Sequence, residues 1–180
     1  MNRPSFLSNP VISGKIFLIL LIVTLVLLFG MSSIDSHLIN DQAVNGIVSL
    51  ELAGSINNAK LILASWDKSA QFQAGLSIGL DFLFLIAYSI TIAMGCLLVA
   101  KNFGVFVQNI GMWLAGTQIL AAILDVIENL AMIKLLTGST WDILPAIAYW
   151  CAIPKFLIVL AGLVFLLAGA LKLIFIRILK

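Results

Sequence analysis

The sequence predicts an all-α integral membrane protein with four transmembrane helices and an extracytoplasmic amphipathic helix between the first two. Hydrophobic residues make up 62% of the 180 residues, charged residues make up 10%, and the mean hydropathy is +1.18. Soluble domains average about 45–50% apolar and about 25% charged residues, so a water-soluble core of this size would not bury the apolar surface. The same composition excludes a disordered chain, a basic nucleic-acid-binding protein and a disulfide-stapled scaffold.

Four apolar stretches are long enough to form spanning helices, because about 20 residues cross a bilayer and a spanning backbone must satisfy its own hydrogen bonds. They cover about residues 16–31, 76–100, 105–133 and 143–171 of a single membrane domain, residues 1–180. The last stretch is longer than a perpendicular span needs. This length predicts a tilted helix, or an outer turn at the interface near Trp141, Tyr149 and Trp150.

The first stretch has an alternative interpretation as a cleaved secretory signal peptide. Arg3 and Lys15 precede a short apolar run, and small residues near its end at 30–33 would suit a signal peptidase. The long amino-terminal region and Met31 at the cleavage position favour a retained helix instead. We therefore expect residues 1–32 to be retained, with cleavage as the alternative.

Basic residues predict the orientation, because cytoplasmic loops carry an excess of Lys and Arg. With four spans both termini lie on one side, and that side holds Arg3, Lys15, Lys101, Lys172, Arg177 and Lys180. The opposite side holds Lys60, Lys68 and Lys134, mostly in a long connection where the rule is weak. The sequence therefore predicts a multi-pass protein of the cell (inner) membrane with both termini cytoplasmic.

The connection of residues 32–75 is predicted to lie outside the membrane and is too short for a separate domain. Residues 49–53 alternate in a way that is compatible with a short strand or a helical turn. Ser55 can cap a helix on the membrane surface or on the bundle top, with an apolar stripe of Ile56, Ala59, Leu63 and Trp66. Asp67 can cap a further helix that runs unbroken into the second span.

Ionisable residues inside the spans are the candidate functional residues, because charges in a bilayer are costly and usually face the protein interior. They are Asp81, Asp125, Glu128 and Lys155. At a rise of about 1.5 Å per residue, all of them fall in the outer half of the membrane. We therefore expect one intramembrane polar cluster that also includes Asn129, with Gln118 and Tyr88 as neutral neighbours.

Spacing supports this convergence, because residues that alternate at intervals of 4 and 3 share one face of a helix. One such stripe is Ser77, Asp81, Phe84, Tyr88, Thr91 and Gly95. The next is Gly111, Ala115, Gln118, Ala122, Asp125 and Asn129. The third is Ala148, Ala152, Lys155, Val159, Gly162, Leu166 and Gly169. Small residues permit close helix approach and polar residues avoid lipid, so these faces are predicted to turn inward. The first span, polar only at Thr24, should cover the others.

Carboxyl groups outnumber ammonium groups in the predicted cluster, so at least one carboxyl group is expected to keep its proton. Asp125 and Glu128 are one turn apart and are the expected pair to share it. Lys155 would pair with one of them or with Asp81. Such a cluster has two interpretations: a structural network that fixes helix register and partner choice, or an ion, proton or substrate site that opens outward.

Other polar and sulfur-containing residues indicate neither a cofactor nor a metal site. His37 is the sole histidine, and we expect it to be exposed at the interface rather than to bind haem or zinc. Cys96 and Cys151 are predicted to lie too far apart for a disulfide. Gly75 and Gly79 form a G-x-x-x-G pair that favours helix packing, with dimerisation as the alternative. The sequence contains no recognisable catalytic motif, so no catalytic residue is assigned.

Several short segments resemble a family of small bacterial four-span membrane proteins to which no activity is assigned. The matching residues are 50–55, Ile62, Leu63, Trp66, Asp81, Phe82, 125–129, Lys155 and Phe156, within a region of about residues 47–160. The resemblance implies that Glu51 and Trp66 belong with the intramembrane cluster, as a cap over its outer mouth. It implies no substrate, cofactor or mechanism.

Small size, the lack of a soluble domain and the small-residue faces favour a non-enzymatic role. We expect a structural or accessory component of a membrane assembly, whose partners are the lipid bilayer and other membrane subunits or further copies of the chain. The alternative is a small transporter or proton-coupled carrier that uses the carboxylate and lysine cluster. A lipid-modifying enzyme is the third class, and no nucleic acid is expected as a partner.

Overall fold

The computed structural model describes residues 10–178, and this part of the chain is helical without strands. Its helices are α1 (Pro10–Asp35), α2 (Ile47–Glu51), α3 (Ile56–Ser65), α4 (Lys68–Ala100), α5 (Val105–Leu136) and α6 (Ile143–Ile178), with a 3-10 turn at Ser36–Leu38. The prediction of an all-α fold is confirmed for these residues. Arg3, Lys180 and the side chain of Arg177, which the predicted charge distribution uses, lie outside the described part.

Within residues 10–178, three segments are long and apolar enough to cross a membrane. They are Ser13–Leu38, Lys68–Ala100 and Ile143–Ile176, and they include three of the four predicted spans. The remaining long helix, α5, has 32 residues and carries the buried side chains of Gln118, Asp125 and Glu128. These lengths and compositions suggest that the protein associates with a membrane.

Helix α5 occupies the middle of the bundle, since it packs along both α4 and α6, while α1 packs mainly on α4. Polar contacts help to fix α1 against α4. Thr24 Oγ1 lies 2.9 Å from Thr91 Oγ1, and Ser77 Oγ donates to Asp35 Oδ1 at 2.8 Å. Most other side chains of α1 are exposed, as expected for a helix that covers the others and faces lipid.

The inward faces of the three central helices are the ones that the spacing predicts. Their buried members are Ser77, Tyr88, Thr91, Gly95, Gly111, Ala115, Gln118, Asp125, Asn129, Ala148, Ala152, Lys155 and Gly162. The other residues of the three stripes are half-buried. Because polar and small side chains gain nothing from contact with lipid, the 4-3 spacing identifies these faces correctly.

Helices α3 and α4 begin at the capping residues expected from the sequence. Ser55 Oγ accepts a hydrogen bond from the amide of Asn58 at 3.3 Å, and Asp67 Oδ1 accepts one from the amide of Ala70 at 2.8 Å. Each cap satisfies a backbone N–H group that has no partner within its helix. Helix α4 then continues without interruption to Ala100, so both capping predictions are confirmed.

Residues 49–53 form the end of the short helix α2 and the turn that follows it, which decides between a strand and a helical turn. Gly46 and Gly54 flank this helix with positive φ angles of 58° and 67°, a conformation that side chains with a Cβ rarely adopt. Ile47, Leu50 and Glu51 are buried, because α2 packs against α5 and α6. With these turns on either side of α2, Glu51 lies buried at one end of the bundle.

Two apolar clusters fill the interior. The first lies at the end of the bundle covered by α2 and α3 and includes Leu38, Leu50, Ala59, Trp66, Ile78, Met132, Leu135 and Ala148. The second lies deeper and includes Leu85, Tyr88, Ile92, Cys96 and Ala115. Along α4, α5 and α6, the ionisable residues come between the positions that contribute to these two clusters. The interior is therefore apolar, then polar, then apolar again.

Candidate functional site

The residues between the two apolar clusters form a buried polar layer, which we define as Glu51, Asp81, Tyr88, Asp125, Glu128, Asn129 and Lys155. Helix α2 contributes Glu51, α4 contributes Asp81 and Tyr88, α5 contributes the next three residues and α6 contributes Lys155. On α5 the acidic and amide side chains are three and four residues apart, and this spacing places them on one face. The layer thus joins four helices.

Lys155 is the cation of this polar layer. Its Nζ donates hydrogen bonds to Asp125 Oδ1 at 2.9 Å and to Glu128 Oε1 at 2.8 Å. The same Nζ lies 3.9 Å from Glu51 Oε2, which is an ion-pair distance but too long for a hydrogen bond. Lys155 is 5% exposed and Glu128 is 0% exposed. The ammonium group therefore depends on these carboxylates for the solvation that water would otherwise provide.

Neutral donors hold two of the aspartates. Tyr88 Oη donates to Asp125 Oδ2 at 2.8 Å, so Asp125 accepts one hydrogen bond on each carboxylate oxygen. Asn129 Nδ2 donates to Asp81 Oδ2 at 2.6 Å. These contacts link α4 to α5, whereas Lys155 links α5 to α6. Asp81 is half-buried and is held by Asn129 rather than by Lys155.

Three oxygen atoms of the polar layer are buried without a hydrogen-bond partner: Glu51 Oε2, Glu128 Oε2 and Asn129 Oδ1. A buried acceptor without a donor costs about 1–3 kcal/mol. All three are acceptors when the carboxyl groups are ionised, so they cannot satisfy one another in that state. The layer as described therefore lacks donors.

Glu51 is the carboxyl group of the layer that lies outside the long helices. Burial raises its pKa above the ordinary value, and this effect outweighs the attraction of Lys155 and the influence of the neighbouring Glu128 side chain, both of which lower the pKa. The negative charges of Asp125 and Asp35 raise it further. The protonated form of Glu51 is therefore favoured in the folded protein compared with the unfolded chain.

The two residues of the implied cap have different positions. Glu51 reaches the polar layer directly through its approach to Lys155. Trp66 is 3% exposed, belongs to the first apolar cluster, and donates from Nε1 to the carbonyl oxygen of Leu38 at 2.9 Å. Trp66 thus anchors the segment that covers the layer by binding the 3-10 turn that follows α1, rather than a carboxyl group.

Gln118 lies apart from the cluster that it was expected to border. Its Nε2 donates to the carbonyl oxygens of Leu114 and Ile158, both at 3.3 Å, and its side chain is 0% exposed. It therefore connects α5 to the backbone of α6 at the level of the deeper apolar cluster. Its Oε1 has no hydrogen-bond partner.

Sequence reasoning missed two residues near the layer. Asp35 lies beyond the predicted end of the first span, but α1 continues to it and Ser77 binds it. Ser77 lies on a predicted inward face, where a buried hydroxyl group needs a hydrogen-bond partner. That need was the signal in the sequence that could have pointed to Asp35. Pro154 directly precedes Lys155 inside α6. Because proline has no N–H group, it leaves the carbonyl one turn earlier without its usual helical donor.

The remaining candidate residues stay outside the polar layer. His37 is exposed, with Nδ1 3.1 Å from the carbonyl oxygen of Ser33. Cys96 and Cys151 are free thiols. Among residues 10–178, no group of three or more His, Cys, Asp and Glu side chains is arranged to hold a metal ion. Comparisons with family models, curated proteins and solved structures give no match to this chain.

Proposed function

We propose that the protein crosses the cell membrane four times, with α5 as the additional span and both termini in the cytoplasm. Support comes from the position of α5 between α4 and α6, since a helix of 32 residues that packs along two spanning helices crosses with them. Residues 101–104 and 137–142 are short connections, which place consecutive helices antiparallel. Charged side chains are costly inside a bilayer, but Asp125 and Glu128 have a buried partner in Lys155, which offsets that cost.

Within the membrane, the protein acts as a non-enzymatic structural or accessory component of an assembly, either as an oligomer or as a subunit beside other membrane proteins. The observation that carries this proposal is the ion-paired Lys155, which ties α2, α5 and α6 together in the interior. A buried ion pair is costly to form and more costly to break on one side. It therefore fixes one arrangement of the helices and of the segment that they present outside the membrane.

The test is the composition of the particle in its own membrane. We expect chemical crosslinking in intact membranes at native expression, followed by purification in mild detergent, to yield further copies of the chain or a stoichiometric membrane subunit. Mass spectrometry of the crosslinked particle measures its composition. Lys155→Met is the comparison variant, in which the helix arrangement that the ion pair fixes is disrupted. A parent chain that stays monomeric at every crosslinker concentration contradicts the proposal.

A proton-coupled carrier is the second candidate, and a separate observation favours it. In the described residues the polar layer contains four carboxyl groups, Glu51, Asp81, Asp125 and Glu128, beside the ammonium group of Lys155. An excess of acidic groups binds protons, which is the chemistry that coupled transport needs. Proton flux into liposomes that contain the protein, driven by a pH gradient, tests this candidate. Loss of flux in Asp125→Asn with an intact fold would support it, and equal flux with empty liposomes would exclude it.

A further inference from the structure

We propose that Glu51 and Glu128 form a proton-binding site, and that the proton bound there attaches helix α2 to the transmembrane bundle. This inference rests on the proposed structural role of the polar layer. It adds a ligand, the proton, and a consequence, since the segment outside the long helices becomes sensitive to the pH of the solution that it faces.

The unpaired oxygens carry the first step. Glu51 and Glu128 approach the same Lys155 ammonium, since its Nζ lies 3.9 Å from Glu51 Oε2 and 2.8 Å from Glu128 Oε1. Each still has one buried oxygen without a partner. A single proton converts one carboxylate into an O–H donor whose bond to the other carboxylate is short and charge-assisted. One bound proton therefore lowers the repulsion between the two carboxylates and supplies a donor that the site lacks.

Asn129 provides an independent indication that the polar layer lacks a hydrogen-bond donor. Its side chain is 1% exposed, its amide nitrogen is already used by Asp81, and its Oδ1 has no partner. An amide oxygen carries no charge, so its lack of a donor does not follow from the crowding of acidic groups. The polar layer therefore lacks at least one hydrogen-bond donor, whatever the charge of its carboxyl groups.

The charges around the site favour a proton as well. The titratable groups that interact electrostatically with Glu51 or Glu128 from the packed elements are Asp35, Tyr88, Asp125, Cys151 and Lys155. Of these described groups Lys155 is the cationic one, and its Nζ already binds Asp125 and Glu128. A further positive charge in the site must therefore come from solution.

The position of Glu51 makes the site exchangeable and couples it to structure. Glu51 ends α2 beside the exposed Leu52, whereas Glu128 is fully buried, so protons enter and leave at Glu51. Loss of the proton leaves two adjacent carboxylates, and Glu51 gains by moving toward water. The glycine turns at Gly46 and Gly54 permit α2 to move without rearranging α5 or α6.

The experiment compares the parent chain with Glu51→Gln and with Asp142→Asn, a control at an exposed acid. Glutamine offers Glu128 a permanent N–H donor in place of the proton. We expect a protonated-carboxyl band in the infrared spectrum of the parent near pH 7 that Asp142→Asn keeps and Glu51→Gln loses. Between about pH 5 and about pH 9, the melting temperature should fall by at least about 4 °C in the parent and stay constant in Glu51→Gln.

Two results would overturn the inference. One is a parent spectrum without a protonated carboxyl at about pH 7. If melting then depends on sodium concentration, a metal cation occupies the site instead of a proton. The other is a pH dependence of melting that Glu51→Gln and Glu128→Gln both retain, because the responsible group would then lie elsewhere. The cost of Lys155→Met at constant pH tests the structural role separately, so failure of the proton site leaves that result interpretable.

Discussion

At the scale of single residues, the cost of burying charge explains why the polar layer is identifiable at all. Asp125, Glu128 and Lys155 stand out in apolar stretches, and the structure brings them into direct contact. Their partners were less predictable. Glu51 lies in a polar connection where a glutamate is ordinary, so only the resemblance to other membrane proteins pointed to it. That these residues form a functional site stays a prediction.

Replacement of Lys155 by methionine should destabilise the protein by about 3 kcal/mol, because it leaves Asp125 and Glu128 buried without their cation. Denaturant unfolding in detergent measures this cost. Lys134→Met is the control, since Lys134 is exposed and loses little solvation when it is changed. Equal stability of both variants would mean that water reaches the polar layer and solvates its carboxylates.

Replacement of Tyr88 by phenylalanine should cost about 2 kcal/mol, the range for a lost hydrogen bond to a charged group. Phenylalanine keeps the ring that packs against Phe84 at a centroid distance of 5.2 Å, so the variant isolates the hydroxyl bonded to Asp125. Thermal unfolding of Tyr88→Phe beside Tyr149→Phe, whose ring is half-exposed, measures the difference. If the two variants unfold alike, the Tyr88–Asp125 hydrogen bond contributes nothing to stability.

At the scale of helices, local rules predicted where α3 and α4 begin, but they left residues 49–53 undecided between a strand and a helical turn. Ser55 and Asp67 have side chains that suit the start of a helix, and tertiary contacts are not needed to see this. Helix α2 has only five residues, too few to form alone, and it exists because the bundle buries Ile47 and Leu50. No pattern within 49–53 contains that information.

Gly162 is the contact point of three helices and provides a test of their packing. A Cβ at this position would lie 2.6 Å from Ile92 Cγ2 and 2.7 Å from Gln118 Nε2. We expect Gly162→Ala to destabilise the protein by about 2 kcal/mol through overpacking.

Gly116→Ala is the matched control, because Gly116 also lies within a helix but a Cβ at that position would have no neighbouring atom within 4 Å. Alanine there should be neutral or stabilising by up to about 1 kcal/mol, owing to its higher helix propensity. Thermal unfolding of the two variants in one detergent decides the matter. A Gly162→Ala protein as stable as Gly116→Ala would show that α4, α5 and α6 are less closely packed than described.

At the scale of the whole molecule, composition predicted the helical fold and the inward faces, but not how the outer segment closes the bundle. Apolar content and 4-3 spacing are properties of each helix and can be counted along the chain. The packing of α3 and Trp66 into the first apolar cluster depends on contacts between distant residues, such as the hydrogen bond from Trp66 to Leu38. Ala59, Ile62 and Trp66 of this segment are buried in that cluster.

The proposed four-span topology can be tested with single cysteines in the turns on either side of α5, after Cys96 and Cys151 are replaced by alanine. We expect Thr140→Cys to react with a membrane-impermeant maleimide in intact cells, and Asn102→Cys to react only after permeabilisation. Both positions are exposed in the described structure. Labelling of both cysteines from the same side would show that α5 does not cross the membrane.

The attachment of α2 to the interior through Glu51 and Lys155 is the central claim, and hydrogen exchange of the backbone amides of residues 47–53 tests it most directly. In the parent these amides should exchange slowly, because α2 is packed against α5 and α6. We predict faster exchange there in Lys155→Met and unchanged exchange in Lys134→Met. Protection of residues 47–53 that survives Lys155→Met would contradict the claim, since α2 would then be held without any contribution from Lys155.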